Sequence, residues 1–459
     1  MAAPKVEASV VAELAAQALQ DPQLPRENPT VSFWQMPPHP SLAEVQSPSL
    51  PSTTDYAVIG SGVTGCSVAK HLLDNSPSGT FSVTVFEARA LTSGATGRNG
   101  GLLTSFVPGD YKLLSDHFGH EQATKIARYA NRTLEKMHQL ANSSPELKDA
   151  SDVRRTLDVV LFRDAASLDA VKESLALYEE HVPENKGKAQ FLTADEAEAK
   201  YGVRANAFAG GAGVFPNGAF WPYRLITRVW GQLLDRHKAR VSIETKTPVT
   251  EITYDKVADP EHPAARQDLP APRDDVDAKS TAAFGNRGGE VTWSVMGGGG
   301  YDPETQIVDV GLLYSNQNPR TGDIFIGGEK AKIRELLVSD DSQIGAPCVE
   351  NLSSVLPTIF TRGWEDGEKP QVCKIWSGIM GFTADRLPII GSLPLEVTKR
   401  GEEGGEWIAA GFNGYGMPLC WSSGEAVAKA RWINWHTANQ GRCILSYICC
   451  QHCILPVSL

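Results

Sequence analysis

The sequence predicts an α/β chain, α+β when taken whole, in which a parallel sheet is joined to a second, antiparallel one. Two observations carry this reading. Short apolar runs alternate with stretches of helical periodicity from residue 55 onwards, and a glycine-rich turn links the first run to the first helix. The 459 residues suffice for two or three domains, or for one large unit with insertions. With 41% apolar and 21% charged residues the chain can bury sizeable cores, and global disorder is excluded. A net charge of −11 argues against a nucleic-acid or anionic-membrane partner, because phosphate binding needs a basic surface.

Residues 1–52 read as an N-terminal extension: a short helical pattern, then a Pro/Ser-rich run, a lead-in and not a core domain. Lys5, Glu7 and Glu13 break up any signal-peptide core, and no stretch approaches the ~18–20 apolar residues that span a bilayer. The expectation is a soluble, cytoplasmic protein. Tyr56-Ala57-Val58-Ile59 is strand-like, Val63 to Leu73 helical, and Phe81, Val83 and Val85 alternate as a strand closing at Glu87. Ile126, Ala130, Leu134, Met137 and Ala141 predict a helix over 116–141, and a second amphipathic helix runs from Pro222 to His237. Strand-like pieces follow at Val241–Glu244 and Val249–Tyr254. Residues 255–281, rich in proline and charge, read as a long loop. Strands return at Glu290–Val295, Gln306–Tyr314 and Asp323–Ile326. A last unit has a strand at Trp407–Ala410, a glycine loop, and a helix from about Pro418 to Ile433, so the first and last segments are expected to meet in one sheet. Eight cysteines do not make a disulfide scaffold. Cys443, Cys449, Cys450 and Cys453 crowd the tail with His452 in a spacing that fits no usual zinc pattern, and no metal is expected. His117 and His120 read as a solvated helix face.

The first turn, Gly60-Ser61-Gly62-Val63-Thr64-Gly65, matches Gly-x-Gly-x-x-Gly in its full context: strand before, helix after, and Glu87 at the end of the next strand. Gly60 makes the tight turn, Gly62 lets backbone approach a pyrophosphate, and Gly65 lets helix and strand pack closely. The helix N-terminus offers N–H groups to the phosphates. Glu87, followed by Ala88 and Arg89, suits ribose hydroxyls and argues against a 2′-phosphate. This is the fingerprint of a Rossmann-like dinucleotide site, and it leaves NAD and FAD both open.

The loop that follows decides between them. Thr92-Ser93-Gly94-Ala95-Thr96-Gly97-Arg98-Asn99-Gly100-Gly101 brings more backbone alongside an extended dinucleotide. Here the sequence resembles the FAD-dependent amine and amino-acid oxidoreductases, the group of D-amino-acid oxidase, sarcosine oxidase and γ-glutamylputrescine oxidoreductase. The Gly-Arg-Asn-Gly-Gly string is most like the last type, and its flanks resemble fungal members. Trp376 to Gly391 is similar to the group's segment ending in Asp-x-x-Pro-x-x-Gly, and Gly411-Phe412-Asn413-Gly414-Tyr415-Gly416-Met417 resembles its loop under the flavin pyrimidine. A loop opening a helix aims a positive dipole end at that edge, where reduced flavin gathers negative charge.

The resemblance implies a cofactor site of Gly60–Gly65, Glu87, Ala88, Arg89, Ser93, Gly94, Ala95, Thr96, Arg98, Asn99, Gly100, Gly101, Val249, Gly411, Asn413, Gly414, Tyr415, Gly416 and Met417. Val249 belongs to the strand expected to border the adenine. Arg98 and Asn99 are expected near the reactive edge, with Arg98 or Arg386 able to clamp a substrate carboxylate or serve a structural salt bridge. It further implies a discontinuous FAD domain (53–112, 215–254 and 372–434) and a substrate domain with an antiparallel sheet (113–214 and 290–371). Residues 255–289 form an atypical loop and 435–459 an atypical Cys-rich tail. No Ala-Thr-Asn/Gly strand, which members use to rejoin the flavin sheet, appears in 255–290. FAD is expected to be non-covalent, since the attachment neighbourhoods offer Gly378 and no His, and Cys373 lies too far upstream. The implied reaction is oxidation of a C–N bond of an amine or amino acid, with hydride passing to flavin N5. A degenerate flavin-fold protein and an NAD-dependent dehydrogenase stay open as alternatives, and oligomeric state is not legible.

Overall fold

The computed structural model describes residues 7–75, 81–253, 287–361, 370, 372–399, 405–436 and 453–458. The expected loop at 255–281 and the tail residues Cys443, Cys449, Cys450 and His452 lie outside them. A three-stranded parallel sheet contains β1 (Tyr56–Ile59), β2 (Val83–Phe86) and β6 (Val241–Glu244), in the order β1-β2-β6. Val58, Val83, Val85, Val241 and Ile243 point to one face, where α2 (Val63–Asp74) and α7 (Pro222–Arg236) bury Cys66, Ala69, Leu73, Leu225, Ile226, Val229 and Trp230. The opposite face is less covered: Ala57 is exposed and Ile59 is 58% exposed. Among the described residues β1 is an edge strand. Parallel sheets ordinarily bury both faces.

The second sheet runs β10-β9-β7-β3-β5-β4, with β8 beside β9. Its strands are β3 (Arg154–Phe162), β4 (Gln190–Leu192), β5 (Gly211–Ala219), β7 (Val291–Met296), β8 (Gly300–Asp302), β9 (Ile307–Gln317) and β10 (Ile324–Lys332). The sheet is mixed and not purely antiparallel, because β3 and β7 pair in parallel, Asp158 opposite Thr292. β5 crosses the boundary expected at 214/215. One face packs Val159, Leu161, Val214, Trp293, Val295 and Leu313 against α6 (Ala194–Tyr201), α8 (Ala346–Ser354) and α9 (Leu356–Ile359). Near the other face run α3 (Val107–Ala141) and α5 (Ala165–His181). α3 starts nine residues before the expected Asp116 and bends at Gly119, whose φ of +78° is non-helical. α4 (Pro145–Ser151) joins it to β3.

Two sequence expectations fail here. β6 ends shortly before Lys246, a residue with φ +53°, and residues 247–253 form no strand, so Val249 sits in irregular chain. The last segment does not enter the parallel sheet either. β13 (Trp407–Ala410) pairs with β12 (Ile389–Ser392) as a separate two-stranded sheet, with α10 (Leu395–Thr398) between them; β11 (Ser377–Phe382) pairs with β14 (Cys453–Ser458). The first and last segments meet through helices instead: α11 (Cys420–His436) lies on α2. A Cβ at Gly424 would come 2.6 Å from the Thr64 carbonyl oxygen, which shows how close that approach is.

The N-terminal extension is also more than a lead-in. α1 (Ala8–Ala18) precedes a segment whose Ser32 and Trp34 are buried, and Trp34 packs with Trp221, Tyr223, Phe325 and Trp376.

Candidate active site

The Gly60–Gly65 turn has the conformation its glycines require. Gly60 has φ +98°, a region L-residues avoid, and a Cβ on Gly65 would fall 2.0 Å from the Gly60 carbonyl oxygen. Gly62 caps α2 in extended conformation, where a Cβ would meet Thr96 Oγ1 at 3.0 Å. Ser61 between them is fully buried and fully bonded. Its N–H and Oγ donate to Glu87 Oε2 (3.0 and 2.6 Å), its Oγ accepts from Thr92 N (2.7 Å), and its carbonyl accepts from Thr92 Oγ1 (3.0 Å) and Trp230 Nε1 (2.8 Å). Glu87 Oε1 accepts from Arg89 N at 3.0 Å, so three donors hold a carboxylate that has room for about four.

The loop 92–101 folds over this turn. Val63 N donates to Thr96 Oγ1 at 2.9 Å, placing the Thr96 hydroxyl at the mouth of α2. Ser93 is buried and its Oγ has no partner. Gly94 borders open space, with no atom within 4 Å of where a Cβ would stand, and Ala95 is exposed. Asn99 closes its own turn, its Oδ1 accepting from Gly101 N at 2.8 Å and its Nδ2 donating to Thr96 O at 3.0 Å. The N-terminal segment latches the loop from outside. Ser32 Oγ donates to Gly97 O (2.6 Å), Gln35 Nε2 to Ser93 O (3.2 Å), and Trp34 Nε1 to Asn99 O (2.5 Å).

Arg98 points away from any open space. Its side chain is 1% exposed, donates from Nε to Ser377 O at 2.8 Å and from Nη2 to Thr30, and lies 3.4 Å from Asp341 Oδ2. Arg89 reaches the same carboxylate at 2.9 Å. Burial pushes the Arg98 guanidinium down to about 10, opposed by Asp341. The arrangement is that of a structural ion pair, which leaves a substrate carboxylate no open face at Arg98. Arg386 is exposed, with φ +62°, and its charge acts on Asp110 and Tyr415. Burial raises the Asp110 carboxyl and pushes the Tyr415 phenol up to about 12.

The loop 411–417 is pinned to the turn after β11. Asn413 N donates to Gly381 O (2.9 Å), and its Oδ1 accepts from Thr383 N (2.8 Å). Gly411 and Gly414 take φ +73° and +79°. Tyr415 stacks on Phe106 at 4.6 Å, and Met417 packs against the core beneath α2. Gly416 approaches Cys420, whose thiol is pushed up to about 12 by burial. The N-terminal turns of α2 and α11 lie side by side, Ser67 Oγ donating to Trp421 O at 2.5 Å and Gly424 lying against the Thr64 carbonyl, with the 92–101 loop joined to α2 through Thr96. Gly60–Gly65, Glu87, Thr96 and Gly411–Met417 gather on contiguous elements; Val249 does not share their hydrogen bonds. Cys373 is exposed, whereas Gly378 is buried against Arg98. His117 bonds Leu113 O, and His120 stacks on His181 at 4.1 Å.

Sequence reasoning missed Ser32, Trp34 and Asp341, which act over separations of 65 residues or more, and Asp158 on β3. Among the described residues no helix is long and apolar enough to cross a membrane.

Comparison with known proteins bears on this geometry. Residues 55–267 match the DAO family, described as FAD dependent oxidoreductase. A 74-residue stretch is 38% identical to gamma-glutamylputrescine oxidoreductase of Escherichia coli (strain K12), covering 16% of each protein, so the match spans about a sixth of that relative's length. Glycine oxidase from Geobacillus kaustophilus aligns over 82% of this chain and 94% of its own, at 16% identity and TM-score 0.52. L-proline dehydrogenase from P.horikoshii aligns over 86% and 96%, at 15% identity and TM-score 0.54. At such identities these two establish a shared fold. Over residues 55–267, a little under half of its length, the chain is therefore similar to the FAD dependent oxidoreductases of the DAO family.

Proposed function

We propose that this protein oxidises a C–N bond of an amine or amino acid. FAD, the family's cofactor, would supply the acceptor, taking hydride at N5 from the substrate α-carbon. The observation that carries this reading is the convergence of two glycine loops at the adjacent N-terminal turns of α2 and α11, joined by the Ser67 Oγ–Trp421 O hydrogen bond and by the close approach of Gly424 to the Thr64 carbonyl. One N-terminus suits a pyrophosphate and the other an electron-rich ring edge. The residues fit the cofactor: no atom lies within 4 Å of where a Cβ would stand on Gly60 or Gly94, and Ser93 Oγ is buried without a partner. Glu87, with one acceptor site left, suits a ribose hydroxyl. Cys373 lies on the exposed run before Trp376, and Gly378 stands where a linking side chain would be needed, which supports non-covalent FAD.

A second reading is a flavin-fold protein with little catalysis. It is favoured by the edge position of β1 and the exposure of Ala57 and Ile59, which leave one side of the sheet unsupported among the described residues. The visible spectrum of the purified chain, followed by anaerobic titration with amines and amino acids, separates the readings. Flavin bands that bleach with substrate support oxidation. Bound flavin that no amine or amino acid reduces supports the second reading, and an eluted nicotinamide nucleotide overturns both.

A further inference from the structure

Three carbonyls of the loop 92–101 are held from one side by the N-terminal segment. Gln35 Nε2 donates to Ser93 O at 3.2 Å and to Gly97 O at 3.1 Å, Ser32 Oγ to Gly97 O at 2.6 Å, and Trp34 Nε1 to Asn99 O at 2.5 Å. This strap is itself anchored. Ser32 is fully buried and Trp34 is 2% exposed, with its ring centroid 5.5 Å from Trp221 and 4.5 Å from Phe325. The Trp34 carbonyl accepts from Trp221 Nε1 at 2.6 Å. Further along, Ala43 O accepts from Leu91 N at 2.9 Å and Val45 O from Thr245 N at 3.1 Å, which ties the strap down beyond the loop.

A trans peptide is planar, and its C=O and N–H point in opposite directions. Holding Ser93 O therefore turns the Gly94 N–H away from the strap, and holding Asn99 O does the same for the Gly100 N–H. Among the described residues neither N–H has an acceptor within the chain, yet both glycines are only half-buried, and open space borders Gly94. The third held peptide differs, since Arg98 N donates to Ala95 O at 3.2 Å. In both peptides whose N–H lacks an acceptor, the residue that follows is glycine. Flipping a peptide carries the φ of the following residue across the allowed map, which a side chain resists and glycine does not. Local sterics leave these two planes free to turn, and the strap fixes them.

We infer that Gln35 and Trp34 are positioning residues for the dinucleotide, aiming the Gly94 and Gly100 amides as donors at its acceptor atoms. The inference rests on the reading above that the chain holds FAD. Gly94 stands two residues before Thr96, whose hydroxyl sits at the mouth of α2, so its amide belongs to the phosphate end of the site. Released from the strap, either peptide can turn its carbonyl oxygen to that side and meet an anionic cofactor with the wrong end of its dipole.

The test is titration of the flavin-free, full-length chain with FAD, followed by flavin fluorescence and visible circular dichroism. Trp34→Phe keeps an aromatic ring and removes the N–H; Gln35→Met keeps the unbranched stem and removes the donors. Each should weaken FAD binding about 10-fold, the scale of one hydrogen bond to a charged acceptor, and change the visible dichroism of the bound ring. Gln35→Lys, which returns an N–H donor to an unbranched stem, should recover most of the affinity, whereas a loss of packing alone would not be recovered. FAD should also slow hydrogen exchange over residues 93–101 in wild type, and less so in Trp34→Phe and Gln35→Met. Gln35 is half-buried, so its variants carry the test if Trp34→Phe does not fold. FAD affinity within about two-fold of wild type in the donor-less variants overturns the inference. So does a wild-type chain that binds no FAD, or one in which FAD leaves exchange over 93–101 unchanged. Flavin held as expected but reduced by no amine or amino acid would sink the oxidation reading and keep the inference. Substrate-reducible flavin held equally by wild type and both donor-less variants would do the reverse.

Discussion

Replacing Asp341 by Asn should unfasten the loop 92–101. The carboxylate is 1% exposed and neutralises two guanidinium groups, Arg89 at 2.9 Å and Arg98 at 3.4 Å, of which Arg98 is itself 1% exposed. Asparagine keeps the shape and one acceptor but removes the charge, so two neighbouring cations are left facing each other without an anion. Breaking a buried pair in this way costs about 3–5 kcal/mol, because the remaining charge cannot be resolvated where it is. Arg89, 11% exposed, can turn partly to water; Arg98 cannot, being held by Ser377 and Thr30. The loss should therefore be seen in chemical denaturation of the flavin-loaded protein at 25 °C, together with faster flavin release, since Arg98 anchors the backbone that leads into Gly100 and Gly101. The double variant Arg98→Met, Asp341→Leu removes both buried charges and should recover more than half of the lost stability. A stability of Asp341→Asn within about 1 kcal/mol of wild type would refute the buried-pair argument, and a double variant no better than the single one would show that shape, not charge, holds the loop.

Gly62→Val meets no backbone strain, its φ of −67° being ordinary, but its Cβ would stand 3.0 Å from Thr96 Oγ1, so the variant should lose some stability and still unfold cooperatively while flavin binding is abolished; stoichiometric flavin in that variant would remove the glycine turn from the site. Gly65→Ala should behave differently, since its Cβ would overlap the Gly60 carbonyl oxygen at 2.0 Å, costing about 1–3 kcal/mol of stability even without cofactor by denaturation of the apo-protein. Acid or heat denaturation should release all flavin to the supernatant, and flavin left on the precipitated chain would reveal a covalent link, with Cys373 the first residue to examine. For Asp158, burial pushes the carboxyl from 3.8 up to about 6 against the pull of the Ser294 and Thr292 hydroxyls. Below the unfolded value both states are protonated and nothing is lost. Between 3.8 and about 6 the folded state holds a proton that the unfolded state has released, so stability falls as pH rises, by about 3 kcal/mol in full. Asp158→Asn should flatten that part of the pH–stability curve and be the more stable protein at pH 8; an unchanged curve would show that Asp158 does not titrate there.

The β1–turn–α2–β2 unit was legible in the sequence because everything that forms it is local. Alternation, helical periodicity and three glycines at fixed offsets act within about 30 residues, and the conformations at Gly60 and Gly65 are those the spacing demands. The helix of 222–236 was equally legible from its apolar stripe, and the strand at 407–410 from its short apolar run before a glycine loop. The strand expected at Val249 was not formed, because alternation marks where a strand can lie and pairing decides whether it does.

Arg98 marks the limit most clearly. Its place in a glycine string suggested a residue at the reactive edge, yet its direction is set by Asp341 and Thr30, 243 residues after it and 68 before it. Trp34 and Ser32 looked like linker for the same reason: their partners are carbonyls of a loop 65 residues away. Asp158 was one acid among many until β5, β3 and β7 came into register and left it facing hydroxyls with no cation. By itself the sequence determined the glycine turn between β1 and α2 and the main helices, since short-range sterics and periodicity suffice for those. Tertiary structure alone decided which charges are buried, which partners neutralise them and which acceptors stand empty, because desolvation and pairing depend on neighbours that the chain brings together only when it folds.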